Sequence, residues 1–88
     1  MLFMSVYKWE PASGAEVTAR RVEKGAIVPP GMKIVGEWSS LALGRVFRLV
    51  EVDDPRAMLQ ACMAWSDLGK IEIFPVMETE EVMKLIPK

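Results

Sequence analysis

Residues 45–52 read RVFRLVEV, in which five of the eight side chains are apolar. Successive side chains of a β-strand point to opposite faces of a sheet. One face therefore receives three valines, and the other receives Phe47 and Leu49. We predict a strand here, the third of the chain, that needs apolar cover on both of its faces.

A helix is predicted directly after this strand. Asp54 is a good N-cap, and Pro55 is tolerated at the first helical position because its missing N–H would be unpaired there anyway. Gly69 is a suitable end. One stripe of this helix collects the apolar side chains of Met58, Ala61, Cys62, Trp65 and Leu68.

Two strands and a helix are predicted before the third strand. The strands are Leu2–Trp9 and Lys33–Ser39. The helix spans residues 14–24: Ser13 and Glu16 have the spacing of a capping box, and Gly25 suits the left-handed end. Its predicted packing face, at spacings of four and three residues, is Ala15, Ala19 and Val22.

After the second helix, Lys70–Met77 reads as a fourth strand. Pro75 cannot donate a ladder hydrogen bond, so we expect it at an edge or a bulge. A short helix through Ile86 follows, capped by Thr79.

The element order strand, helix, strand, strand, helix, strand predicts one ferredoxin-like α+β domain over residues 1–88, with both main helices on one face of an antiparallel sheet. The other face lacks a cover. On the first strand it carries one of two apolar sets, either Phe3, Tyr7 and Trp9 or Leu2, Met4 and Val6. Packing two such sheets face to face would bury it, so we predict a homodimer in the form of a dimeric α/β barrel.

Composition limits the partners. The 88 residues are 51% hydrophobic with a net charge of -1, and no block of like charge indicates nucleic acid or a membrane surface as a partner. Cys62 is the single cysteine and excludes an internal disulfide. Neither a signal peptide nor a membrane span is recognisable. We expect a cytoplasmic protein.

The sequence also resembles a known family, the prokaryotic domain of unknown function 3303. The likeness spans nearly the whole chain and rests on Met1-Leu2-Phe3, Trp9, Gly36, Gly44, Val50-Glu51, Asp53, Trp65 and Pro75-Val76. It implies the dimeric α/β-barrel superfamily and no known activity. Other members of that superfamily bind haem, oxygenate substrates without a cofactor or isomerise small carbonyl compounds, but those roles do not transfer with the fold.

Four residues are candidates for ligand binding in a cleft between the two sheets. Arg48 lies in the middle of the third strand, where an unpaired charge is costly to bury. We favour a salt bridge to Glu37, to Glu72 or across the dimer over a bound anion. Tyr7, Trp9 and Trp38 could form flat walls with polar tips, although such aromatic residues more often belong to an interface.

Catalytic chemistry is constrained by what is missing. The chain has no His and no Asn, so histidine-dependent haem, zinc and triad chemistry lack their usual residue, and we predict no metal and no cofactor. The preferred function is small-molecule binding, of a partly apolar or anionic compound. The alternative is a cofactor-free enzyme using Tyr7, Glu37 and Arg48. An RNA-binding module ranks third, because the third strand lacks the aromatic spacing of that motif.

Overall fold

A computed structural model describes residues 1–87 and shows an α+β architecture. The strands and helices are β1 (Leu2–Lys8), α1 (Gly14–Lys24), β2 (Met32–Ser39), β3 (Arg45–Val52), α2 (Pro55–Trp65), β4 (Lys70–Pro75) and α3 (Thr79–Leu85). A 3-10 helix, Pro11–Ser13, precedes α1. The predicted ferredoxin-like order of elements is confirmed.

The sheet is antiparallel with the strand order β2-β3-β1-β4. β3 and β1 occupy the centre, so the doubly apolar strand lies where two neighbours pair with it. Pro75 ends the edge strand β4, where its missing N–H removes no ladder bond from a central strand. The predicted edge position of Pro75 is therefore confirmed.

The side chains of β1 alternate between the two faces of the sheet, and the structure shows which of the two predicted sets lies on the uncovered face. Tyr7 points toward the helices and joins a buried cluster with Val17 of α1 and Trp65 of α2. The set Leu2, Met4 and Val6 consequently lies on the opposite side, which we call the open face. Helices α1 and α2 pack on the side that carries Tyr7, and α3 is exposed along its length, so no helix within residues 1–87 covers the open face.

Helix α2 begins as predicted, because the Asp54 side chain accepts a hydrogen bond from the Arg56 backbone N–H at 3.0 Å. The predicted capping box of α1 is wrong. The 3-10 helix runs directly into α1, so Ser13 already has helical angles (φ -93°, ψ -7°) and makes no capping bond with its side chain. Gly25 does end α1, with φ +70°.

The predicted packing face of α1 is also wrong. Ala15, Ala19 and Val22 are exposed, Val22 by 80%. Val17 is buried instead, and Arg20 reaches across to α2. The two valines of the helix lie on different sides, Val17 inward and Val22 outward, and contacts between Val17 and the buried cluster decide the rotation of the helix.

Candidate functional site

A cavity of about 80 Å³ lies between the sheet and the helices α1 and α2. Its lining comes from both helices and from the helix-facing side of all four strands. Most of its wall is apolar, and the main apolar contributors are Val17, Val46, Val50, Met58, Ile71 and Ile73. An apolar protein cavity of roughly 150 Å³ holds one benzene molecule, so this smaller space suits a small ligand or part of one.

Arg48 brings a charge to this apolar wall. It lies directly opposite Glu37 on β2, and its Nε and Nη2 atoms contact Glu37 Oε2 at 2.7 and 2.6 Å. Arg21 of α1 reaches the same carboxylate, with Nη1 2.9 Å from Oε1. The side chain of Arg48 is only 14% exposed and that of Glu37 21%. The predicted salt bridge between Arg48 and Glu37 is thus formed.

Two guanidinium groups share one carboxylate at this point, so the cluster carries one surplus positive charge. Burial by itself raises the pKa of Glu37, but hydrogen bonds from Arg21 and Arg48, together with their charges, outweigh it and lower the pKa overall. Glu37 therefore stays ionised at neutral pH, and its carboxylate is occupied by arginines.

Trp65 supplies an unpaired hydrogen-bond donor. The residue is 7% exposed and lines the cavity, yet its indole Nε1 is buried and has no acceptor within residues 1–87. An unsatisfied buried donor costs about 1–3 kcal/mol, so each such group in a folded protein needs an explanation.

Neighbouring side chains contact both the ring and the backbone of Trp65. The Tyr7 hydroxyl donates to the Trp65 carbonyl at 2.8 Å, and the two rings meet edge to face with centroids 5.7 Å apart. Arg20 lies 5.6 Å from the ring centroid. Arg20 is fixed in turn by the Ala64 carbonyl and by both carboxylate oxygens of Asp67, each at 2.7 Å.

Two further side chains of the cavity wall are poor reactive groups. Burial, followed by the charge of Asp67, raises the pKa of Tyr7. Burial also raises the pKa of the Cys62 thiol, which keeps it in the less nucleophilic protonated form. The wall is therefore equipped to hold a molecule rather than to exchange protons with it near neutral pH.

The four residues predicted to bind a ligand do not surround one site. Tyr7 and Arg48 line the cavity. Trp9 packs against Tyr7, with ring centroids 5.4 Å apart, and lines a separate open cleft at the end of the sheet. Trp38 lies on the open face, where it covers Gly36, and is 56% exposed. A cavity behind the sheet cannot use Trp38 because the sheet stands between them.

Sequence reasoning placed Trp65 in the core and missed its free N–H. Nothing in the sequence marks that property, because it depends on where acceptors lie in three dimensions. Sequence reasoning also expected the cavity between two sheets, whereas the cavity of the protomer lies behind the sheet. Both faces of β3 are apolar, so periodicity alone does not distinguish these locations.

The open face carries an apolar patch in the middle of the sheet. Direct cross-strand partners share a face, and this face therefore combines the β1 set with side chains from the other three strands: Trp38, Phe47, Leu49 and Phe74. Trp38 and Phe74 are 56% and 48% exposed. An exposed apolar area of this kind is typical of an interaction surface.

Residues 1–87 contain neither a candidate metal site nor a helix suited to span a membrane. No group of three or more His, Cys, Asp or Glu side chains lies close enough together to hold a metal ion. None of the helices in this part of the chain has the length and apolar content needed to cross a membrane.

One solved structure shows the same fold. It is the crystal structure of a candidate antibiotic biosynthesis monooxygenase from Deinococcus radiodurans, with a TM-score of 0.50 and 16% sequence identity. The match covers 88% of this chain and 92% of that one. No curated protein matches the chain. A family model described as "Domain of unknown function (DUF3303)" matches residues 1–88, which confirms the predicted resemblance: the chain belongs to this family.

Proposed function

We propose that this protein binds a small, mainly apolar molecule with a hydrogen-bond acceptor, in the cavity between the sheet and the helices. The observation that carries the proposal is the buried indole N–H of Trp65, which has no acceptor among residues 1–87 although the residue lines a cavity. A carbonyl, carboxylate or phenolate oxygen of a ligand would satisfy it.

The charge of the site favours an anionic ligand. Arg48 and Arg21 share the single carboxylate of Glu37, and Arg48 reaches the cavity wall. A carboxylate on the ligand would balance the surplus charge. The volume restricts the body of the ligand to a few carbon atoms, unless the flexible side chain of Met58 makes room.

Nuclear magnetic resonance of the three indole N–H groups tests this proposal. The probes are isobutyrate and isobutyramide, which have the same shape and differ in charge, within a panel of carboxylates and amides of two to seven carbons. We expect ligands to shift the Trp65 signal and to leave that of Trp38 in place, with the carboxylate binding more tightly. Trp65→Phe assigns the signal and should weaken binding about tenfold, while Trp38→Phe serves as the control.

The proposal fails if no member of the panel moves the Trp65 signal and native mass spectra of the purified protein contain only the polypeptide. Loss of affinity in Trp38→Phe but not in Trp65→Phe would place the ligand on the open face, as sequence reasoning expected.

A cofactor-free enzyme is the second candidate. Tyr7, Glu37 and Arg48 all lie on the helix-facing side, which such an enzyme requires, and the Deinococcus protein of the same fold is described as a candidate monooxygenase. Against it, the Tyr7 hydroxyl already donates to a carbonyl, and Glu37 is held by two arginines. Turnover of a bound carboxylate that Tyr7→Phe abolishes without changing affinity would favour this candidate.

The proposal includes a homodimer formed through the open face. The support is the exposed apolar patch, which the protomer's own C-terminal helix does not cover. Trp38→Arg should convert the dimer to a monomer in sedimentation experiments. Leu59→Arg is the matched control, since Leu59 is 62% exposed but belongs to α2 on the other side of the sheet. A wild-type monomer at micromolar concentration would contradict this part.

A cytoplasmic location is also part of the proposal. Its support is Cys62, a half-buried free thiol in a chain with no second cysteine.

A further inference from the structure

A row of three cations crosses one end of the open face. Lys8 of β1 lies directly opposite Arg45 of β3 on one side and Lys70 of β4 on the other. Like charges directly opposite each other destabilise a sheet. Glu72 is the carboxylate that contacts the row within residues 1–87, 2.9 Å from Lys8. Three cations and one carboxylate leave two positive charges without a counter-ion.

Helix α3 follows the other end of the sheet and is short and exposed. It has seven residues and is exposed along its whole length, with Met83 56% and Leu85 74% exposed. A helix this short is not stable in water by itself, because nucleation costs more than so few hydrogen bonds return. Its apolar side chains therefore need a surface that the protomer does not provide.

The start of α3 is strongly acidic. Glu80 and Glu81 lie in its first turn, and Glu78 precedes them. Lys84 pairs with Glu81 at 3.1 Å, which leaves a surplus of two negative charges at this end. This surplus matches the positive surplus of the cation row.

We infer that, in the homodimer proposed above, α3 of each protomer packs on the partner's open face with its acidic first turn against the partner's row of Arg45, Lys8 and Lys70. The inference rests on that proposed dimer and specifies how its two copies are oriented.

The strand geometry supports this orientation. α3 follows the end of β4 at Pro75, whereas Lys70 begins the same strand, and six residues of strand span roughly 17–20 Å. The acidic start of α3 and the row of cations therefore lie toward opposite ends of the sheet. A twofold axis in the interface, perpendicular to the strands, brings the acidic end of each copy over the basic end of the other, and does so twice. It also supplies an apolar surface for Met83 and Leu85.

A charge swap tests the inference. One variant combines Glu80→Lys with Glu81→Lys, a second combines Arg45→Glu with Lys70→Glu, and a third carries all four changes. The control, Glu16→Lys with Glu23→Lys, makes the same change of charge on the exposed side of α1. Dimer dissociation constants are measured by sedimentation at fixed ionic strength, and circular dichroism checks that every variant is folded.

We expect each two-residue variant to raise the dissociation constant about tenfold or more, the control to leave it unchanged, and the four-residue variant to restore it to within about threefold of wild type. A monomeric wild type would refute the proposed dimer itself. If the wild type is a dimer but the two-residue variants match the control, or if the four-residue variant is not restored, the dimer stands and the placement of α3 is overturned. If phosphate stabilises the folded protein and the charge swaps leave dimerisation unchanged, the row of cations binds a small anion instead. That result would also overturn the placement of α3.

Discussion

Glu37→Gln is the substitution that best tests the energetics of the site. Glutamine keeps the shape of the side chain and removes the charge, so Arg48 and Arg21 face each other without a counter-ion. Breaking a fully buried ion pair costs about 3–5 kcal/mol, and an exposed pair contributes about 0–1 kcal/mol. Arg48 and Glu37 are 14% and 21% exposed, between these limits but closer to burial. We therefore expect the free energy of unfolding to fall by about 2 kcal/mol at pH 7.

The cost should depend on pH with a definite sign. The arginines lower the pKa of Glu37 in the folded protein below its ordinary value of 4.5. The unfolded chain then binds the proton first as the pH falls, so the contribution of Glu37 is complete above about pH 4.5 and is lost as the pH drops through the lower, folded pKa. The stabilities of wild type and Glu37→Gln should accordingly converge in acid.

Urea denaturation at equal protein concentration, repeated between pH 7 and pH 3, measures this difference. Asp54, Asp67 and Glu72 also have lowered pKa values, but they are present in both proteins and their effects cancel in the difference. Arg21→Gln is the control: its side chain is 46% exposed, so its loss should cost less than 1 kcal/mol. A difference between wild type and Glu37→Gln that is absent at pH 7, or that does not change with pH, would refute the account of this cluster.

Two other substitutions test the packing near the cavity. Tyr7→Phe removes the 2.8 Å hydrogen bond to the buried Trp65 carbonyl and should lower the free energy of unfolding by about 1–2 kcal/mol in urea; an unchanged value would mean that water replaces the hydroxyl. Gly69→Ala would bring a methyl group against the Lys8 carbonyl oxygen and to 2.8 Å from the Tyr7 ring, and should cost about 2–3 kcal/mol by thermal denaturation. Gly14→Ala, at a helical position with an ordinary 3.6 Å contact, should instead be neutral or stabilise by up to about 1 kcal/mol, and equal effects of the two alanines would contradict the assigned clash.

Local signals were sufficient to predict the order of elements. The two-residue alternation of β3 and the Asp54-Pro55 start of α2 depend on neighbours in the chain, so periodicity and capping chemistry identify them. The ends of elements and the rotation of α1 were harder. Ser13 loses its capping role to a preceding 3-10 helix, and Val17 replaces a stripe of alanines as the buried residue. The first outcome follows from the adjoining Pro11–Ser13 segment, and the second depends on contacts with Tyr7 and Trp65, which lie far from Val17 in the sequence or in another element.

The site was predicted only in part, for a related reason. Arg48 was identified because a charge in the middle of a strand is unusual in itself, and its partner Glu37 lies on the adjacent strand. The four candidates were grouped because the sequence does not show which face each side chain occupies: Trp38 lies opposite Phe47 on the open face, whereas Tyr7 and Arg48 face the helices.

The two faces of the sheet carry different features. The helix-facing side has a cavity, a fixed indole donor on Trp65 and an arginine cluster around Glu37, all within one protomer. The open face has an apolar patch and a row of cations, which no helix within residues 1–87 covers. The proposed ligand site and the proposed dimer interface therefore rest on different residues. A variant such as Trp38→Arg should separate the copies and leave the Trp65 donor in place, so a ligand that still binds the separated protomer would show that the site is complete in one chain.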